Sequence, residues 1–428
     1  MIAGGRIFLW GFGFREKPAA TEIPLRGIDL SSRALAIADE RGARVVLVAL
    51  DVCAIDDAFV EDIRRRLADS RGLSPDSLAI NVSHTHSAPV TMGVPTWPPG
   101  FDAPHEPYID LLAAQVTASI EEALDSMVPA SLRFARGMSA IGVNRHFPGQ
   151  AYDETLDVLQ AIDAGGRTLA VAFFHGCHTV CDQGEQLSAD FAGIARRKVE
   201  QTTGGIALFF QGYAGTIVPF VDNADVIGTQ LATDVLRALA AGTAELSGPL
   251  RRFRSVVEAP LAPLRPDALQ RARDSGKPHF LRWAKAMAGG DAPGTLPIEL
   301  FGVRLGGGGN EWVLAASSHE VVAEFAAPVR ELLPFPRLTL MAYTNRQQAY
   351  LPDRRVLADP PCPLFPVCVP NNYEGGEAAI WYGHRGPVTA EVDDVFLDGW
   401  SELFGLRMTV RRWLLKIISV LLGKRRWP

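Results

Sequence analysis

Cysteine is scarce in this chain: the five in 428 residues, Cys53, Cys177, Cys181, Cys362 and Cys368, show no Cys-x-x-Cys spacing. An odd set without that spacing argues against a disulfide framework and fits free thiols in a reducing compartment. Excess charge is missing too. The net charge of −6 gives no basic field for nucleic acid, so no nucleic-acid partner is expected. With 47% hydrophobic and 21% charged residues, the composition excludes disorder and gives no sign of a multi-span membrane protein. There is no internal repeat, low-complexity tract or linker-like segment, so a single large domain is expected over residues 1–400. The opening Met1–Gly11 run carries one basic residue and a short, glycine-broken apolar stretch. No convincing cleavage site follows it, so a cytoplasmic location is expected rather than secretion.

What is present is alternation. Arg44–Leu50 reads as a continuous apolar strand, and Asp57–Ser70 as a helix with Phe59, Val60, Ile63 and Leu67 on one stripe. Leu78–Val82 is a strand by its period of two. Further helices are predicted over Tyr108–Met127, Asp190–Gln201, Asp222–Ala241 and Glu320–Leu333. Further strands are predicted over Leu169–Phe174, Ile206–Phe210, Glu311–Ala316 and Leu338–Tyr343. Pro260–Pro297 looks like a glycine-broken helical insertion or lid. The expected class is α/β: mixed β-sheets flanked by helices in a layered sandwich.

Polar chemistry follows the strands. Ser83-His84-Thr85-His86-Ser87-Ala88-Pro89 places two imidazoles two residues apart at a strand end. If the backbone stays extended there, both project from one face. An isolated pair of this kind more often caps a turn than binds a metal. Here four other strands also end in polar loops: His175–Thr179, Gln211–Gly215, Ser317–Glu320 and Tyr343–Arg346. Open α/β sheets build their sites at the carboxyl edge of the strands, so a shared pocket is expected. Neutral imidazole is the commonest zinc ligand.

The segments Ser83–Pro89, Asn144-Arg145, Cys177-His178-Thr179, Gln211–Pro219, His319-Glu320, Tyr343–Pro352 and Tyr373–Gly376, in this order, resemble the catalytic domain of neutral/alkaline, non-lysosomal ceramidases. The resemblance runs over about residues 4–385. That family hydrolyses the amide of N-acylsphingosine with zinc. The resemblance implies a Zn2+ ion held by His84, His178, Glu320 and Tyr373, with His175 competing for the place of His178. It further implies His86, Arg145 and Tyr382 as catalytic residues, donating to the developing oxyanion, with His86 passing a proton to the leaving amine. Arg145 pairing with a carboxylate and Tyr382 lying in the core are the alternatives. Glu320 is expected to open a helix, whose positive end favours a carboxylate. Asp51 is weighed as a support for a ligand histidine and as a turn cap, and Asp190 as a helix cap.

One departure from the family pattern matters. The Gly-rich loop reads Ala214-Gly215-Thr216-Ile217-Val218-Pro219, with valine where the family has serine or asparagine. That excludes a covalent serine route at Val218 and leaves metal-activated water as the expected nucleophile. The expected activity is therefore zinc-dependent cleavage of an amide in an N-acylated, lipid-like substrate. The alternatives are a lipid-binding accessory protein without turnover, or another zinc acyl hydrolase or peptidase-like enzyme.

Acid is absent from residues 406–428, which hold seven Lys or Arg and two tryptophans. Val410, Trp413, Leu414, Ile417, Ile418, Leu421 and Leu422 form one helical face, and Arg407, Arg411 and Lys416 another. Interrupted by Arg412 and Lys416, the stretch is too short to span a bilayer. Residues 401–428 are expected to form a basic amphipathic helix at the inner face of the membrane.

Overall fold

The structure, a computed structural model, describes residues 7–12, 30–94, 96–264, 266–290, 292–358 and 372–406. Of residues 401–428, predicted as a membrane-surface helix, 407–428 lie outside the described residues.

Three strand–helix–strand crossovers organise the chain. Arg44–Leu50 runs parallel to Leu78–Val82 across the Asp57–Arg71 helix. Thr168–His175 runs parallel to Ile206–Gln211 across the Asp190–Thr203 helix. Trp312–Ser317 runs parallel to Arg337–Met341 across the shorter Ala326–Leu332 helix. Antiparallel strands complete each sheet: Ser32–Ala38 in the first, Ala130–Met138, Thr155–Asp163 and Ala244–Leu246 in the second, Leu250–Pro260 and Thr295–Leu305 in the third. The local reasons are plain in the first crossover. Asp56 accepts from Phe59 N to start the helix, and Gly72, at φ 61°, ends it in the left-handed region.

The Arg44–Leu50 strand is buried on both faces, which is why it is apolar throughout. Val46, Val48 and Leu50 face the Asp57–Arg71 helix residues Phe59, Val60, Ile63 and Leu67. Val45, Leu47 and Ala49 instead face Phe174, Phe210, Phe301 and Trp312. Beyond the five-stranded sheet, Val171, Phe173 and Phe209 meet the helices Asp190–Thr203 and Ala224–Ala241. The result is helix, sheet, sheet, helix, as the alternation implied. Between Leu250–Pro260 and Thr295–Leu305 the chain forms two helices, Pro266–Asp274 and Pro278–Met287. Their own core of Phe280, Trp283 and Met287 packs on Ile380.

Two buried amides lock the strand ends together. Asn81 Nδ2 donates to the carbonyls of Gln211 and Ala342, and Asn81 Oδ1 accepts from Gln211 N. Gln211 Nε2 in turn donates to Ser83 O and Cys177 O, while its Oε1 accepts from Cys177 N. These bonds tie the ends of the Leu78–Val82, Thr168–His175 and Ile206–Gln211 strands to the chain just past Arg337–Met341. Among the described residues no helix is long and apolar enough to cross a membrane.

Candidate metal centre

The carboxyl-edge loops converge as expected, but by a different local route. The extended backbone does not persist past Val82: His84 lies at φ 61°. The two imidazoles still meet, with His86 Nε2 3.1 Å from His84 Nε2. The loops are knitted by His86 N donating to Thr179 O and Thr179 Oγ1 donating to Ser83 O.

His178 is buried with its Nδ1 at 2.7 Å from Ala214 O and 3.0 Å from Ile217 O. His84 Nδ1 lies 2.8 Å from Cys53 O. Backbone carbonyls thus hold the Nδ1 proton of each ring, and both Nε2 atoms turn toward one carboxylate. Glu320 Oε2 is 3.2 Å from His84 Nε2 and 3.4 Å from His178 Nε2. That oxygen is buried and has no hydrogen-bond partner. His84, His178 and Glu320 form a compact, buried three-donor cluster.

Glu320 does not open a helix. It belongs to a two-residue strand, Glu320–Val321, paired in parallel with Tyr350–Leu351. Its ionised form is therefore favoured by side chains and not by a helix dipole. Burial raises its pKa, but His84 and His178 outweigh burial and hold it well below the carboxylate range. Burial likewise works against charge on His84, yet Glu320 and Cys53 raise it well above the usual imidazole value. Burial and then Arg145 push His178 down to about 4, so its Nε2 lone pair is free near neutrality.

The geometry suits a divalent cation. Zinc bonds of 2.0–2.2 Å to nitrogen and oxygen put tetrahedral donors about 3.3 Å apart. The two separations to Glu320 match that spacing. So does the 3.2 Å between His178 Nε2 and the Tyr350 hydroxyl.

Tyr350 is the phenol that the sequence reading missed. Tyr373 was the expected fourth ligand, yet the residue is 43% exposed and its ring stands edge-on to Tyr350 at 5.4 Å. The Tyr350 hydroxyl, delivered by the strand paired with Glu320, lies 3.2 Å from His178 Nε2. Its place in the Tyr343–Pro352 segment was the available signal. The competing His175 points away, with Nδ1 3.1 Å from Thr155 O.

Arg145 and Tyr382 are engaged within the protein. Arg145 Nε donates to Glu374 Oε1 at 2.7 Å, and its NH2 donates to Gly215 O and Tyr350 Oη. This is the carboxylate pairing, with the added task of holding Tyr350. Glu374 sits at about 2, since His146 and Arg145 outweigh its burial. Tyr382 Oη donates to Glu320 Oε1. Gln347, also missed, places Nε2 3.0 Å from His84 Nδ1 and 3.5 Å from Tyr382 Oη.

Strained backbone clusters here. His84, Asp190, His319, Tyr343 and Asn345 all have φ between 51° and 69°. Each such residue costs of order 1–3 kcal/mol and persists only where its surroundings over-determine it. Asp190, expected as a cap, has its carboxylate occupied by Asp182 N and Phe191 N.

Two solved structures share this architecture. Neutral ceramidase from Pseudomonas aeruginosa superposes with a TM-score of 0.70 at 19% identity, covering 94% of this chain and 73% of that one. The fold is that of neutral ceramidase. A ceramidase complexed with C2 gives a TM-score of 0.69 at 16% identity, covering 93% of this chain and 72% of that one. No family model and no curated protein matches the sequence. The resemblance carried by the short motifs thus holds at the level of the ceramidase fold.

In this ceramidase fold the Gly-rich loop is tight. A Cβ on Gly215 would lie 2.9 Å from Val322 N and 3.0 Å from Glu320 O, all backbone. Gly215→Ala is expected to shift Glu320 away from His84 and His178. A displacement near 1 Å costs on the order of 10²-fold in rate. Metal retention through dialysis, compared with wild type, checks this directly.

Proposed function

We propose that this chain is a zinc-dependent hydrolase of an amide bond in an N-acylated, lipid-like substrate, with water as the nucleophile. The observation that carries the reading is the buried, unpartnered Glu320 Oε2 set between two imidazole Nε2 atoms. His84, His178 and Glu320, with Tyr350 beside them, would hold the zinc, which when bound would supply Lewis-acid polarisation of the amide carbonyl and a lowered pKa for water.

The remaining roles belong to the chain. His86 is near enough to the cluster to pass a proton to the leaving amine. Tyr382 holds Glu320 in place, and the Cys53 carbonyl holds His84. Arg145, anchored by Glu374, orients the Tyr350 hydroxyl. No hydroxyl competes as a nucleophile at the Gly-rich loop. Position 218 is valine, and Thr216 Oγ1 donates to buried Glu324 at 2.8 Å. A buried apolar cluster of Trp10, Val90, Met92, Val94, Trp97 and Phe101 packs against Tyr382, so the surroundings of the site on that side are apolar.

Metal analysis combined with a panel of N-acyl amides tests the reading. One zinc per chain is expected, with hydrolysis of long-chain amides that chelation abolishes and zinc restores. Zinc without turnover on any amide would favour the lipid-binding alternative, and absence of zinc would remove both the cofactor and the mechanism. The same proposal places the enzyme at a membrane surface through its basic terminus. Deleting residues 406–428 is expected to abolish co-sedimentation with anionic liposomes, whereas equal sedimentation would refute the anchor.

A further inference from the structure

Two glutamates four residues apart serve different partners. Glu320 faces the imidazoles, whereas Glu324 lies in the short Ala323–Phe325 turn and is buried. Each oxygen of Glu324 accepts a hydrogen bond from a neutral side chain. Asn144 Nδ2 donates to Oε1 at 2.7 Å, and Thr216 Oγ1 donates to Oε2 at 2.8 Å. The hydrolytic scheme gives this carboxylate no task of its own.

We propose that Glu324 is a positioning residue that aims His178 by bracing the Gly-rich loop against the segment carrying Glu320. Thr216 stands between Ala214 and Ile217, whose carbonyls take the Nδ1 proton of His178. Fixing Thr216 therefore fixes both acceptors, and acceptors of this kind set a ring's orientation. The Thr216 hydroxyl also accepts from Ala323 N at 3.2 Å, so it is held on both its donor and acceptor sides. The Asn144 arm reinforces this hold. Asn144 is the strand partner of Ile217 and immediately precedes Arg145. Arg145 N donates to Thr216 O, and its side chain donates to the Tyr350 hydroxyl. One segment thus supplies Glu320 to the Nε2 side of His178 and, through Glu324, steadies the acceptors on its Nδ1 side. The 3.4 Å between His178 Nε2 and Glu320 depends on both holds. Gly215 N still donates to Val321 O without Glu324, so its loss is expected to loosen the loop and not to release it.

The inference rests on the metal reading for its zinc readout, and a second readout is independent of any metal. In the metal-free, full-length chain with isotopically labelled histidine rings, nuclear magnetic resonance follows solvent exchange of the His178 Nδ1 proton. Its resonance is assigned by its loss in His178→Ala. Wild type is expected to protect this proton. Glu324→Ala is expected to speed its exchange by roughly tenfold or more, the mark of local opening. Thr216→Val, which keeps the side-chain shape, takes its place should the alanine variant fail to fold. Both variants are expected to bind zinc roughly 10–100-fold more weakly, the range for loss of an outer partner. Glu324→Gln is expected to restore both readouts, because the Thr216 hydroxyl can accept from the amide while the remaining oxygen accepts from Asn144. Wild-type exchange and zinc affinity in a folded Glu324→Ala chain, even one less stable to urea, would reduce Glu324 to support of the fold and overturn the inference. An unprotected His178 proton in wild type would overturn it too. A ring proton loosened by Glu324→Ala in a chain that binds no zinc would sink the metal reading and leave the brace standing.

Discussion

His178→Ala is expected to leave a folded chain that retains no zinc and hydrolyses nothing above background. The ring it removes supplies a neutral Nε2, kept neutral by burial and Arg145 and aimed by the carbonyls of Ala214 and Ile217. Loss of an outer partner lowers metal affinity by roughly 10–100-fold, so loss of a donor exceeds that range. His175→Ala is the matched control. It lies three residues earlier, at the end of the strand that leads into the His178 loop, but its Nδ1 is turned to Thr155 O. The control is expected to keep one zinc per chain. Inductively coupled plasma measurements on both variants decide the matter, and full zinc occupancy in His178→Ala would end the assignment.

Arg196→Met is expected to be the most destabilising single change, by about 3–5 kcal/mol, because it strands a buried carboxylate. Arg196 NH1 and NH2 grip Asp51 Oδ1 and Oδ2 at 2.8 and 2.6 Å, with both side chains almost wholly buried. Ser31 N and Oγ complete the carboxylate's bonds. Asp51 thus pins the end of the Arg44–Leu50 strand to the Asp190–Thr203 helix, and its partners include no ligand histidine. Removing both charges, as in Asp51→Leu with Arg196→Met, is expected to recover most of the loss. Urea unfolding at neutral pH measures both. A cost below 1 kcal/mol for the single variant would show that water reaches the pair. Zinc stoichiometry of the folded fraction should not change, which separates this support of the fold from the metal cluster.

Much of the architecture was legible because its determinants are local. Arg44–Leu50 and Leu78–Val82 were read to the residue, the first from its continuous apolar run and the second from its alternation. The Asp57–Arg71 helix showed its apolar stripe. The antiparallel partners were harder. Ala130–Met138 and Leu250–Pro260 carry many polar or arginine residues on a partly exposed face, so their period is weak. Glu320 was assigned to a helix because helical residues follow it, yet pairing with Tyr350–Leu351 delays the helix to Ala326. A two-residue parallel ladder leaves no periodicity to read.

Within the site, the amino-acid order alone determined which strand ends carry His84, His178 and Glu320, because a loop at a strand's carboxyl end is a matter of local pattern. Only the folded chain decided which atoms meet. It turned His84 into the left-handed region, set Tyr350 where Tyr373 was expected, and spent Arg145 on Glu374. Those outcomes depend on contacts between residues tens to hundreds of positions apart, whose energies no local window contains.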